Sequence, residues 1–143
     1  MAWRALCEDH LLFALLYSRW IDPAGWLKMQ TLFAPIPQPL RLLVSRRVRA
    51  RVRQQILGQG MGRHSAQEIY RFGLQDLAAI ETLLGDQEFM LGAAPTSLDA
   101  TAYGFLANLI DTDFDNPLNH RARATPSLVA YCARIKQRAF SDL

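Results

Sequence analysis

Arg63-His64-Ser65, directly after Gly58-Gln59-Gly60-Met61-Gly62, is the segment of this chain best suited to chemistry. Glycines permit tight turns, and the N–H groups of a helix start beside an arginine can hold a carboxylate or a phosphate. The same residues also read without a ligand: Ser65 caps the helix that follows, His64 packs and Arg63 is solvated. His10 falls within an apolar stretch, with Leu6, Phe13 and Tyr17 around it. A neutral imidazole bonded to a carbonyl or carboxylate is expected there, with ligand contact as the alternative.

Other groupings are weaker. Cys7 and Cys132 lie near opposite ends, with no C-x-x-C and no metal-ligand spacing, and are read as reduced, packed thiols of a cytoplasmic protein. Asp111, Asp113 and Asp115 alternate as in a calcium loop, but the required glycine and distant glutamate are missing. No pair of carboxylates, no Ser/His/Asp set and no metal cluster can be assembled, so no catalytic residue and no metal site are assigned.

Two capping boxes fix helix starts. Ser65 and Glu68 form one; Thr96 and Asp99, in Pro95-Thr96-Ser97-Leu98-Asp99-Ala100, form the other. The residues after Thr96 (Ala100, Ala102, Tyr103, Phe105, Leu106, Leu109, Ile110) are too apolar for a surface helix, which makes this helix central.

Five helical segments and no convincing strand emerge. The first runs from about Trp3 to Trp20. On a wheel, Trp3, Leu6, Cys7, Phe13, Ala14, Tyr17 and Trp20 share one broad face; Leu11, Leu12, Leu15 and Leu16 fall opposite, among Arg4, Glu8 and Arg19. A helix apolar on both sides wants cover on both, so part of it is expected to meet another domain or subunit. Residues 26–39, with Pro35, Pro37 and Pro39 at alternate positions, read as an extended connection. The second helix spans Leu40 to about Leu57, with Val44, Val48, Val52 and Ile56 opposed by Arg46, Arg49 and Arg53. The third runs from Ser65 to Leu84 on a stripe of Ile69, Phe72, Leu77, Ile80, Leu83 and Leu84. The fourth follows Thr96 and fades near Asp111. The fifth starts at Thr125-Pro126 and runs through Phe140. Residues 111–123 read as a polar loop.

The 143 residues make one domain, 1–143, half of them apolar and one in five charged, with no apolar run near the ~20 residues that span a bilayer. Net charge is +3, but no acid stands between Asp22 and Glu68, where Lys28 and seven arginines (41, 46, 47, 49, 51, 53, 63) fall. Such a block fits an anionic partner, or a solvated helix whose arginines meet neighbouring acids. Nucleic acid is the less favoured partner, because no aromatic interrupts residues 41–53 to stack bases.

In order along the chain, Glu8-Asp9-His10-Leu11, Arg19-Trp20, Trp26, the Gly58–Ser65 segment, Asp76-Leu77 and Leu84-Gly85-Asp86 resemble one branch of the glutathione transferase superfamily. Phe89-Met90-Leu91-Gly92, Pro95–Ala100 and Tyr131-Cys132-Ala133-Arg134 continue the likeness. The branch is that of failed-axon-connections and metaxin-like proteins with their bacterial relatives, and the resemblance covers nearly the whole chain. It implies the all-α, five-to-six-helix bundle of the C-terminal domain. In the family, a separate N-terminal thioredoxin-like domain holds glutathione and the activating Tyr, Ser or Cys. Nothing here reads as that β-α-β unit.

The resemblance therefore implies a domain that is catalytically silent alone. It would supply one apolar wall of a ligand pocket, with Tyr17 and Trp20 as pocket candidates beside Arg63 and His64, and a surface for a homo-oligomer. Glutathione is implied as a cofactor only with the thioredoxin-like half. Two alternatives stand: half of a glutathione-dependent transferase whose thioredoxin-like domain lies upstream, or a basic-helix module for an acidic protein, a membrane surface or nucleic acid.

Overall fold

Seven helices, with no strand among the described residues, make up the computed structural model, which describes residues 2–140. Helix α1 (residues 2–21) is not uniform. Two stretches of it, Leu6–Leu11 and Tyr17–Ile21, wind as π-helix between α-helical turns. The buried residues of α1 nevertheless follow a single stripe of ordinary helical spacing, which lies on the seam between the two faces drawn from sequence. This corrects the wheel. Leu11 and Leu15, expected on the opposite side, are buried with Cys7, Ala14 and Ser18, whereas Trp3, Leu6, Phe13, Tyr17 and Trp20 are only half-buried. The first helix thus presents few bare leucines; Leu12 and Leu16 are partly covered.

The expected extended connection is a second correction. Asp22 caps helix α2 (Pro23–Met29), its Oδ1 accepting from the N–H groups of Ala24 (3.0 Å) and Gly25 (3.3 Å), with Pro23 at the first helical position. A 3₁₀ turn, Gln30–Phe33, follows, and the proline segment after it runs through further turns into the next helix. Gly25 is required there. A Cβ on it would lie 1.9 Å from the Ser18 carbonyl oxygen, so α2 packs backbone-close against the end of α1. Trp26, Met29 and Phe33 then form a small second core with Phe114, against Trp20, Ile36, Val44 and Val48.

Helix α3 (Leu40–Gln59) sets Val52 and Ile56 into the main core. Arg49 departs from the solvated stripe expected of it. Its guanidinium donates to the carbonyls of Trp20 (2.8 Å) and Ile21 (3.2 Å), closing the end of α1, and lies over the Trp26 ring. Helix α4 (Ala66–Leu84) buries Ile69, Leu77, Ile80 and Leu84, together with Gly73 and Asp76.

Helix α5 (Ser97–Ile110) is central, with Ala102, Leu106 and Leu109 buried. Its start is tied to two distant segments through Asp99, which is buried. One carboxylate oxygen accepts from the Thr96 N–H (2.7 Å) and hydroxyl (2.9 Å); the other accepts from the Met90 N–H (2.8 Å) and the Tyr131 hydroxyl (3.0 Å). Met90 lies in the Phe89–Gly92 turn and Tyr131 in α7, so one carboxylate joins three parts of the chain.

The polar loop at residues 111–123 contains a further helix, α6 (Pro117–Arg123). Asn116 caps it through bonds from the N–H groups of Leu118 (3.0 Å) and Asn119 (3.1 Å), and Leu118 and Ala122 are buried. Helix α7 (Pro126–Phe140) closes the bundle with Leu128, Tyr131, Cys132 and Ile135 inward. Among the described residues, no helix is long and apolar enough to cross a membrane.

Candidate functional site

Gly60 ends α3 with φ at +114°, a region that favours glycine, and the chain turns through Met61–Arg63 into the cap of α4. There Glu68 accepts from the Ser65 N–H (2.9 Å) and hydroxyl (2.8 Å), while Ser65 Oγ accepts from the Glu68 N–H (3.3 Å). The turn delivers Arg63 and His64 to a cavity of about 370 Å³. His10 of α1, Phe72 of α4, Gln59 and Met61 line it with them.

Phe72 sits between the two imidazoles. The His64 ring meets it edge-on at 5.0 Å and the His10 ring tilts against it at 5.9 Å. His10 Nδ1 donates to Asp76 Oδ2 at 2.6 Å, with the carboxylate buried and the imidazole 43% exposed. His10 therefore has the carboxylate partner expected for it, but not the burial. Burial raises the Asp76 carboxyl above its ordinary value, an effect that the bond and charge of His10 only partly offset. Gln59 fixes the rim, donating to the Asp9 carbonyl (2.7 Å) and accepting from the Met61 N–H (3.0 Å).

A second cavity, about 490 Å³, opens between α1 and α5. Leu12, Leu15 and Phe105 give it an apolar lining, Ala100 and Gly104 leave it room, and Glu8 and Asn108 add polar groups. The sequence signals this groove only through Ala100 and Gly104, four apart on α5. That pattern also suits a tightly packed core helix.

Tyr17 and Trp20 line neither of these cavities. Tyr17 meets Tyr70 edge-on at 5.9 Å, and the Tyr70 hydroxyl donates to Asp22 Oδ2 at 3.1 Å. Burial, then the Asp22 charge, raises both phenols above their ordinary value. Trp20 packs on Trp26 and Phe33 in the second core.

Both cysteines are free and buried. Burial pushes the Cys7 thiol up to about 11, with Asp76 and Glu8 adding to it; burial and then Asp111 push Cys132 up to about 12. Such thiols stay protonated near neutrality. The alternating aspartates each face a base: Asp111 with Lys136 (3.6 Å), Asp113 with Lys28 (2.5 Å) and Asp115 with His120 (2.7 Å). On α3, by contrast, no arginine forms an ion pair among the described residues. The acids near at hand do not answer its charge.

Residues 73–135 match the family described as glutathione S-transferase, C-terminal domain. The chain is 32% identical over 143 residues to the isoprene-epoxide–glutathione S-transferase of Rhodococcus sp. (strain AD45), covering 96% of this chain and 59% of that protein. It is 28% identical over 144 residues to human metaxin-2, covering 99% of this chain and 55% of the relative. Failed axon connections of Drosophila melanogaster is also 28% identical, over 96% of this chain and 36% of its own length. The chain thus spans little more than half the length of the first two. No solved structure matches it.

Proposed function

Because the chain carries the C-terminal helical domain of the glutathione S-transferase superfamily, in the branch of the metaxins and failed axon connections, we propose that it supplies one apolar wall of a ligand site and no thiol chemistry of its own. The observation that carries this reading is the groove between α1 and α5. It is apolar through Leu12, Leu15 and Phe105 and open to one side, as half of a pocket would be. The raised, buried thiols of Cys7 and Cys132 support the second part.

On this reading a thioredoxin-like domain binds glutathione and ionises its thiol, and the wall formed here orients the apolar co-substrate. The name of the Rhodococcus relative suggests an epoxide as that co-substrate. Two free, buried thiols suit a reducing cytoplasm. Contact with a second copy would fall on the exposed leucines of residues 27–43 (Leu27, Leu32, Leu40, Leu42 and Leu43), apart from the groove between α1 and α5.

Gly104 offers a direct test, since a side chain there meets open space. An uncharged fluorophore, N-phenyl-1-naphthylamine, is expected to bind the chain. Gly104→Phe, filling the groove, should weaken that binding roughly tenfold, the equivalent of one good apolar contact. Equal affinity in the variant would remove the groove as a binding wall.

A further inference from the structure

We propose that the cavity beneath Arg63 is a separate binding site for a small oxyanion, a carboxylate or phosphate, carrying a planar apolar group. The proposal is independent of the wall between α1 and α5, because it rests on another cavity and on charge.

Arg63 enters no ion pair among the described residues. The carboxylates that α4 places beside the cavity, Glu68 and Asp76, are already engaged. Glu68 holds the Ser65 N–H and hydroxyl and only approaches His64, at 3.9 Å; Asp76 is buried and bonded to His10. With Nδ1 donating to Asp76, Nε2 is the His10 nitrogen left for a ligand, and the aspartate fixes the ring's orientation. His64 adds a second imidazole across Phe72. The cavity therefore offers a guanidinium, which pairs bidentately with carboxylate or phosphate, two imidazoles and an aromatic surface for the remainder of the ligand.

The chemistry of recognition is shared by carboxylates and phosphate esters, so both are tested. The whole chain is titrated with inorganic phosphate, phenyl phosphate and benzoate, followed by the imidazole NMR signals of His10 and His64. The expected result is saturable movement of both rings, with an aromatic anion binding more tightly than inorganic phosphate. Arg63→Ala should weaken binding roughly tenfold or more, as loss of a charge-assisted pair does. Arg47→Ala, on exposed α3, should change little. Tighter binding of phenyl phosphate identifies a phosphate ester, and of benzoate a carboxylate.

Absence of saturable movement overturns the proposal. So does equal weakening by Arg63→Ala and Arg47→Ala, which would mean diffuse attraction to a basic surface. A helical circular dichroism spectrum identical to that of the parent keeps the Arg63→Ala result interpretable. His64→Ala, expected to weaken the aromatic anions, provides a second variant. Gly104→Phe should leave anion binding intact, which separates failure here from failure of the apolar wall.

Discussion

At Asp99 a single carboxylate accepts four hydrogen bonds while almost wholly buried, so its loss leaves several donors without partners. Asp99→Ala should destabilise the chain by about 3 kcal/mol in urea denaturation, in the range for a broken buried network. Burial alone would raise this carboxyl, but the bonds from Met90, Thr96 and Tyr131 outweigh it and hold it below the ordinary aspartate value of 3.8. The folded value being depressed, its contribution is complete above 3.8 and is lost as pH falls through the folded value. The urea midpoint of the parent should drop across that acid window, and Asp99→Ala should show a shallower drop. The Thr96/Asp99 box was legible from the four residues themselves. The bonds to Met90 and Tyr131 were not, because a capping pattern records only local partners.

At the scale of elements, glycine placement separates two kinds of helix contact. Gly25→Ala forces a methyl into the Ser18 carbonyl, and backbone on both sides cannot yield as a side chain would; a loss of about 2–3 kcal/mol or more is expected. Gly104→Ala meets open space within α5 and should stabilise the chain by about 0.5–1 kcal/mol through helix propensity. Urea midpoints moving in the same direction for both would contradict these packing assignments. The long helices were readable because their apolar residues recur at helical spacing, as Ile69, Leu77, Ile80 and Leu84 do. Helices α2 and α6 were hidden by proline and by polar residues, although Asp22-Pro23 and Asn116-Pro117 carry the cap-then-proline signal that also marks Thr125-Pro126. The buried stripe of α1 did not stand out because apolar residues surround that helix, and only packing against its neighbours decides which of them face inward.

For the molecule as a whole, the helical architecture follows from hydrophobic periodicity and two capping boxes, whereas the sites depend on contacts between elements distant in sequence. Arg63 and His64 stood out because glycines precede them. Their neighbours His10, Phe72 and Asp76 come together only when α1 packs on α4. Tyr17 and Trp20, pocket candidates by resemblance, pack against Tyr70 and beside the second core, contacts that residue spacing alone does not record. The central claim is that this helical domain shapes a ligand site but does not activate a thiol. Ultraviolet titration of the glutathione thiolate with the chain in excess tests it directly. The account predicts a thiol that ionises at the pH of free glutathione. A midpoint shifted down by a unit or more (about 1.4 kcal/mol of thiolate stabilisation) would contradict it and place the activating site in these helices.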